Sequence, residues 1–355
     1  MKKKQRQAWL DNIKLFAIFC VVLGHTLGFL TKHEIAGYEL IQGIIVSFNM
    51  PLFFMLSGFS SGTRIVKIKT FSNFFSLSIK NTIRILIPAY FLSIITFLLG
   101  LGGGDGMLSS YWFLPILWRL LIFFSLCCYI NNVIIKRYTN LSIINNYGGI
   151  ILFLVFSQFL GNRMSEFSTY IVVGFIVNNK NIIEKINFKI VIIIFFTYCL
   201  CLIPTIGKNF YKPDYQYHNL IFSNQWYILV LRQFCAIALS LLLLRFFKLY
   251  SKKYTKISSF GSMTLGIYLI HDFFIENLLG KKLNVVLPKI NNSIDILLVL
   301  VVAVLAIIIS ILLIDLIRRS KFLKLLLLGE DSYNVAYKCS SFLTHCRINH
   351  LNSSD

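Results

Sequence analysis

Residues 296–314 read Ile-Leu-Leu-Val-Leu-Val-Val-Ala-Val-Leu-Ala-Ile-Ile-Ile-Ser-Ile-Leu-Leu-Ile, a run without a charged side chain between Asp295 and Asp315. A helix of about 20 apolar residues crosses a hydrocarbon layer about 30 Å thick. The chain of 355 residues is 57% hydrophobic and 14% charged, and its mean hydropathy is +0.73. A soluble protein of this length has too small an interior to bury several such runs. The sequence therefore predicts an integral membrane protein and excludes a soluble enzyme, a disordered chain and a secreted disulfide scaffold.

Similar apolar stretches, bounded by polar, glycine or basic residues, recur along the chain. The predicted spans cover residues 10–30, 40–61, 79–100, 112–130, 147–160, 167–178, 188–207, 222–244, 260–279 and 294–317. We therefore predict an all-α, polytopic fold of about ten transmembrane helices within one domain over residues 1–328. A short cytoplasmic tail of unknown role follows over residues 329–355.

The net charge of +21 reflects the topology of these spans rather than nucleic-acid binding. When the loops are assigned alternately to the two sides, 26 of the 35 Lys and Arg residues fall on one side and 7 on the other. Positively charged loops stay in the cytoplasm, so both termini are predicted to be cytoplasmic. The basic N-terminus resembles a signal peptide, but its apolar run contains Lys14 and His25, so we interpret it as a retained first helix.

The eight cysteines lie mostly inside the spans, where a thiol behaves as a small apolar group, so no disulfide framework is predicted. In the tail, the spacing of Cys339, His345, Cys346 and His350 fits no zinc pattern. The sequence predicts neither a metal site nor a tightly bound cofactor.

Ionisable residues within the spans are the best candidates for function, because each is costly in hydrocarbon unless it faces a cavity or a partner. Lys14 and His25 lie eleven positions apart on the first span. At 100° per residue they share one helix face and are roughly 16 Å apart along the axis. A snorkelling lysine and a packed histidine are the alternative interpretation.

The second span carries Pro51 near its middle, between Asn49 and Ser57. Proline frees one helical carbonyl, and this is tolerated beside neighbouring helices or a wet cavity. Asn49 and Ser57 are candidates for a polar lining of that cavity, and a purely structural kink fits equally well.

The fourth and eighth spans begin alike, with an aromatic residue at the outer interface and an arginine about two turns deeper. These are Trp112 with Arg119, and Trp226 with Arg232. Because few acidic residues lie in the spans, the anion of a substrate is a candidate partner for each predicted buried arginine. Hydrogen bonding to carbonyl groups is the alternative.

The ninth span contains Gly-Ile-Tyr-Leu-Ile-His, residues 266–271. It enters from the cytoplasm and places His271 about 18 Å deep, close to the level of His25. The two histidines are therefore expected to share one layer. Tyr268 and His271 join the candidate site residues, whereas Asp272 points about 100° away from His271.

Two further segments bear on phosphate binding. The Gly-rich stretch at 100–106 lacks the Gly-Lys-Ser/Thr ending of a phosphate loop, so it is interpreted as an outer loop. Lys80 and Arg84 lie four residues apart before Pro88 on the predicted cytoplasmic side. They are candidates for binding phosphates, with lipid headgroups as the alternative ligand.

Taken together, these segments resemble the membrane acyltransferase-3 family, in particular fucose O-acetylase-like and other polysaccharide O-acetyltransferases. The resemblance extends over residues 8–328 and rests on five motifs. They are the Lys14 and His25 pair, Asn-Met-Pro-Leu-Phe-Phe-Met-Leu-Ser-Gly-Phe at 49–59, Arg-Ile-Leu-Ile-Pro at 84–88, Trp-Phe-Leu-Pro-Ile-Leu-Trp-Arg at 112–119 and Gly-Ile-Tyr-Leu-Ile-His at 266–271.

This resemblance implies an enzyme of a bacterial cytoplasmic membrane that moves an acyl group, usually acetyl, from cytoplasmic acyl-CoA to a sugar hydroxyl. The acceptor would be a cell-surface polysaccharide or its lipid-linked precursor. By position, His25 would be the catalytic histidine and Lys14 its paired basic residue. The family often has Arg at the latter place, and Lys keeps the charge but loses bidentate recognition.

Other functions remain open at this point. A transporter or flippase would use Lys14, Arg119, Arg232, His25 and His271 to line a path for an anion or a glycolipid. A glycan polymerase or ligase is a further alternative, although such enzymes typically need a large outer loop. The sequence does not identify the glycan, the hydroxyl, the acyl group (acetyl or succinyl) or the oligomeric state. It also does not decide whether His25 is a general base or an acyl carrier.

Overall fold

The computed structural model describes residues 7–30, 38–98, 111–136, 142–202, 226–251, 255–272, 275 and 292–330. These residues form helices joined by turns, with no strand among them. In chain order the helices are α1 (Ala8–Leu30), α2 (Tyr38–Ile65), α3 (Phe71–Asn81), α4 (Ile87–Leu98), α5 (Phe113–Ile130), α6 (Ser142–Ser157), α7 (Asn162–Asn179), α8 (Ile182–Lys185), α9 (Phe188–Leu202), α10 (Trp226–Tyr250), α11 (Lys256–Phe260), α12 (Thr264–Asp272), α13 (Asn292–Ile317) and α14 (Lys321–Leu328).

Six of the described helical segments are long and apolar enough to cross a membrane. They are Ala8–Gly28, Leu40–Ile65, Phe71–Leu98, Phe113–Ile135, Tyr227–Tyr250 and Ile296–Ile317. Two shorter apolar helices, Tyr147–Ser157 and Phe188–Leu202, coincide with further predicted spans. The all-helical, multi-pass architecture is therefore confirmed. The count of ten spans and the cytoplasmic location of the termini stay predictions.

The third span begins earlier than the sequence predicted. Thr70 caps α3, because its hydroxyl accepts a hydrogen bond from the amide of Asn73. A π-helical turn, Thr82–Leu86, then carries the chain into α4 without a break. Lys80 and Arg84 consequently lie well inside a continuous helical segment and not in its first two turns.

Contacts divide the chain into two compact units. Unit 1 comprises residues 1–62 and 165–314, and unit 2 comprises residues 63–164 and 315–355. Each unit has its own packed interior, and each is described separately below.

In unit 1, α2 and α7 cross at very close range through glycines. A Cβ atom on Gly58 would collide with the main-chain carbonyl of Ile171, and one on Gly174 would collide with that of Met55. Small residues allow helices in a membrane to pack closely. Such packing drives their association, because the hydrophobic effect does not bring helices together in lipid. The Asn178 side chain adds a hydrogen bond of 2.7 Å to the Phe59 carbonyl.

Packing around α10 completes unit 1. Tyr198 and Cys201 of α9 share a buried cluster with Cys235 of α10. At the other end of α10, the Lys248 ammonium lies 2.7 Å from the exposed carboxylate of Glu184 and lowers the pKa of that carboxyl group. This pair ties α8 to α10.

In unit 2, the C-terminal helix α14 packs against α4. Gly329 ends α14 in the left-handed conformation, with φ of 61°, and its Cα lies against the backbone of Arg84. Glu330 forms an ion pair with Arg318. The packed structure thus continues two residues into the predicted tail. The remaining tail, with Cys339, His345, Cys346 and His350, and the Gly-rich stretch at 100–106 lie outside the described residues.

Candidate active site

Helix α1 presents Lys14 and His25 on one face, as its uninterrupted span requires. The Lys14 ammonium lies 3.8 Å from the carboxylate of Asp11, one turn earlier on the same helix. Asp11 is buried, and its main-chain carbonyl abuts Gly261 in the turn before α12. The Lys14 end of α1 is therefore fixed against the start of α12.

His25 and His271 are in contact at the other end of the same two helices. Their ring centroids are 5.3 Å apart, and the rings meet edge to face at 84°. Because Asp11 meets Gly261 and His25 meets His271, α1 and α12 run in the same direction. This contact confirms the prediction that the two histidines share one layer.

The surroundings of His271 determine which of its nitrogens can react. The side chain is 1% exposed, and Nδ1 lies 3.0 Å from the Ile267 carbonyl oxygen. A carbonyl only accepts, so Nδ1 carries the proton and Nε2 carries the lone pair. Within the described residues, Nε2 has no hydrogen-bond partner. Tyr268 packs against this ring at a centroid distance of 5.7 Å.

A polar residue of α2 that lies against Gly24, next to His25 in the chain, was missed by the sequence analysis. A Cβ atom on Gly24 would lie 3.3 Å from the side chain of Ile45 and 3.8 Å from the side-chain amide oxygen of Gln42. Gly24 thus lets α2 approach α1 beside His25 and brings the Gln42 amide to this level. The Gln42 oxygen is buried and accepts no hydrogen bond from the part of the chain that the structure describes.

The polar residues that flank Pro51 interact mainly within α2. The Ser57 hydroxyl donates to the Phe53 carbonyl at 2.8 Å, and the Asn49 side-chain oxygen accepts from the Met50 amide at 2.6 Å. Asn49 is buried and Ser57 is half-buried. Neither interaction points to a ligand.

Arg232 has an anionic partner within the chain itself. Its guanidinium lies 2.9 Å from the carboxylate of Glu166, which is buried in α7. The sequence had offered a substrate anion as the partner. Glu166 was missed because it lies immediately before the predicted sixth span, although an acidic residue next to an apolar run was a readable signal.

Arg119 differs from Arg232, and the prediction that it is buried was wrong. Its side chain is exposed, whereas Leu117, Leu120 and Leu121 on the packed side of α5 are buried. At the start of α5 the Trp112 ring lies under the guanidinium of Arg163, 4.5 Å from the ring centroid. Trp226 begins α10, but its side chain lies outside the described residues.

Three cations of unit 2 lie close enough to repel one another. Lys80 is repelled by both Arg64 and Arg84, and Arg84 is repelled by Arg64. Nearby, the indole of Trp118 donates a 2.9 Å hydrogen bond to the hydroxyl of Thr82. Arg64, at the end of α2, was counted only as a topological charge in the sequence. The structure adds it to the predicted Lys80 and Arg84 pair.

The candidate residues therefore form two sets. Unit 1 holds the histidine pair and the Glu166–Arg232 pair, and unit 2 holds the three cations, the exposed Arg119 and the Trp112–Arg163 contact.

The family of the chain follows from comparison with known proteins. A family model described as an acyltransferase domain matches residues 7–315. The chain belongs to this acyltransferase-3 family. No curated protein and no solved structure matched it in the other two comparisons. Family membership supports an acyltransferase over the transporter and polymerase alternatives.

Proposed function

We propose that this membrane acyltransferase moves an acyl group, most simply acetyl, from cytoplasmic acyl-CoA to a sugar hydroxyl of a cell-surface polysaccharide or its lipid-linked precursor. The observation that carries the proposal is the contact between His25 and His271 on helices that both begin at the Lys14 end. In an acyltransferase, a histidine pair within the spans is the natural place for the reaction.

The chemistry requires a base, because a sugar hydroxyl is a poor nucleophile at neutral pH. In the direct route, the hydroxyl oxygen attacks the thioester carbonyl and its proton passes to the neutral ring of His25. The new C–O bond forms, the C–S bond breaks, and the proton then goes to the departing CoA sulfur. In the alternative route, His25 itself carries the acyl group between donor and acceptor. The Tyr268 hydroxyl is a candidate donor to the developing oxyanion.

His271 is suited to support either route. Its tautomer is set by the Ile267 carbonyl, so the lone pair on Nε2 is available beside His25. A lone pair in this position accepts a hydrogen bond from an N–H of His25 or from the O–H of the acceptor hydroxyl. Such an acceptor stabilises the positive charge that develops on His25 as it takes up the proton.

The anionic donor requires cations. Arg64, Lys80 and Arg84 gather positive charge within unit 2, and clustered cations favour an anionic ligand. Within unit 2, these three residues are candidates for binding phosphate groups, with lipid headgroups as the alternative ligand. Lys14 lies on the same face of α1 as His25, roughly 16 Å away along the helix axis, and supplies positive charge at the donor end of this helix. Both termini and this donor end face the cytoplasm in the proposal.

Transfer of label tests the proposal. Membranes that contain the full chain are incubated with acetyl-CoA labelled in the acetyl group, and the surface polysaccharide is then analysed by mass spectrometry. The expected result is a gain of one ester group that requires the protein and is lost with His25→Ala. Label that accumulates inside sealed vesicles without ester formation would overturn the proposal in favour of transport.

A further inference from the structure

A buried polar cluster joins α7 to α10 in unit 1. Glu166 and Arg232 form the 2.9 Å ion pair described above, with 9% and 22% of their side chains exposed. The next residue of α10, Gln233, donates from its amide nitrogen to the Glu166 main-chain carbonyl at 3.3 Å. The Gln233 oxygen is also buried, and no described residue donates a hydrogen bond to it. The cluster therefore contains a polar atom whose partner is not found among the described side chains.

Stability alone does not account for charges at this position. A buried ion pair can often be replaced by apolar side chains of similar volume without loss of stability. Helix α7 already has a close contact that uses no charge, where Gly58 and Gly174 let it cross α2. Intramembrane ionisable groups that are not needed for packing commonly mark the path of a substrate.

The depth of the cluster follows from the packing of α10 on α1. Phe247, near the end of α10, contacts Phe16 of α1 with ring centroids 5.6 Å apart. Phe16 is near the start of α1 and Phe247 is near the end of α10, so the two helices are antiparallel. From this contact, the later residues of α1 and the earlier residues of α10 extend toward the same side of the membrane. Counting at 1.5 Å per residue from this contact, Arg232 is roughly 22 Å beyond it and His25 roughly 14 Å. Counting in the same way from the contact of the Lys248 ammonium with the Trp9 ring, 6.0 Å from the ring centroid, places both residues roughly 24 Å away. The cluster thus lies at the level of His25 or up to about 8 Å beyond it, away from the Lys14 end.

We propose that Glu166, Arg232 and Gln233 bind hydroxyl groups of the sugar acceptor on its way to His25. This inference rests on the proposed function. Each sugar hydroxyl both donates and accepts, and the cluster offers both partners in one place: a carboxylate and an amide carbonyl as acceptors, and a five-donor guanidinium. Because the cluster lies at or beyond the level of His25, an acceptor that arrives from the side remote from Lys14 reaches the cluster no later than it reaches the histidine. The anionic donor enters from the opposite end.

The test separates acceptor binding from donor use in the full chain, reconstituted in lipid nanodiscs. The acceptor probe is surface polysaccharide isolated from cells that lack the protein, and the donor is acetyl-CoA. Arg232→Lys keeps the charge and the ion pair but loses the planar fork. Gln233→Met keeps the volume but loses the amide. Each variant is expected to raise the KM for polysaccharide about tenfold, as the loss of one hydrogen bond to a charged or buried group predicts. The KM for acetyl-CoA should not change.

A matched control uses the other end of α10. Lys248→Gln breaks the exposed pair with Glu184, which has the same charge types and lies far from the cluster. It should leave both KM values unchanged. The charge-swapped variant, Glu166→Arg with Arg232→Glu, tests a purely structural role, because it keeps an ion pair while reversing its groups.

Three results are decisive. A charge-swapped protein that recovers the wild-type KM for polysaccharide would show that the pair only ties two helices together, and would overturn the inference. An unchanged KM for polysaccharide in both Arg232→Lys and Gln233→Met would do the same while leaving the proposed function intact. If the wild-type protein itself esterifies no polysaccharide, the proposed function fails, and this inference fails with it.

Discussion

Two helix contacts in unit 1 use opposite kinds of residue for opposite purposes. Where α2 meets α7, Gly58 and Gly174 bring the backbones together, and the polar side chain Ser57 bonds within its own helix. Where α1 meets α12, the contact ends in two ionisable rings, His25 and His271, one of which keeps an unpartnered lone pair within the described structure.

This difference separates packing motifs from chemical ones. Both contacts include residues of the motifs quoted in the sequence analysis, where Asn49 and Ser57 were candidates for a polar cavity lining and the histidines for a reaction centre. In the structure, the glycine of that motif allows the helices to cross, which explains its presence without any ligand. A reactive site requires groups whose hydrogen-bonding capacity the fold leaves unused. The histidine layer meets that condition through Nε2 of His271, which has no hydrogen-bond partner among the described residues.

The largest expected effect comes from removing the reactive ring. His25→Ala should lower acyl transfer by about 10²- to 10⁴-fold, the usual range for loss of a general base. The protein should remain inserted and abundant, because His25 is only half-buried. Labelled acetyl transfer and membrane abundance are measured together. Thr26→Val, which alters the adjacent buried side chain of α1, is the control and should retain transfer. Wild-type turnover in His25→Ala would remove the histidine layer from the mechanism.

The next effect breaks the packing contact instead. Gly58→Ala places a methyl group on the Ile171 carbonyl, and the obstacle is backbone that no rotamer change can move. We expect the free energy of unfolding to fall by about 1–3 kcal/mol, the usual range for overpacking. The readouts are abundance in the membrane and the midpoint of thermal unfolding in detergent.

The control for this substitution is Gly28→Ala on α1, because no atom lies within 4 Å of the position of its Cβ. It should be neutral in both measurements. If Gly58→Ala were equally neutral, the α2–α7 crossing would have to be looser than the structure has it.

The sequence predicted the helices better than their partners. Apolar runs bounded by charges are local features, so the membrane class and most helix positions could be inferred from them. The shared layer of His25 and His271 also followed from helix rise alone. The partner of Arg232 did not, because the pairing of α7 with α10 depends on packing between segments 66 residues apart. The exposure of Arg119 was missed for the same reason, since period and hydropathy do not show which face of α5 its neighbours cover.

A moderate effect is expected at the donor end of α1. Lys14→Ala should raise the KM for acetyl-CoA about tenfold, because it removes a cation and leaves Asp11 buried next to Gly261. Lys14→Arg keeps the charge and should stay near the wild-type value. Initial rates at several acetyl-CoA concentrations give the KM, with the exposed Lys256→Ala as control. Equal damage by Ala and Arg would mean that the property in use at this position is not charge.

The smallest expected effect sharpens the comparison from the packing side. Ser57 lies beside Gly58, and its hydroxyl donates to the Phe53 carbonyl one turn earlier at 2.8 Å. That carbonyl keeps its place in the helical ladder without the hydroxyl, so Ser57→Ala should change stability by less than about 1 kcal/mol and transfer by less than about twofold. Asn178→Ala is the contrasting variant, because it removes the 2.7 Å hydrogen bond that crosses from α7 to the Phe59 carbonyl and should be more destabilising. The KM for polysaccharide in Ser57→Ala decides the question. A rise of several-fold with normal abundance would show that Ser57 contacts the acceptor, and the motif at 49–59 would then belong to the reaction centre as well as to the helix crossing.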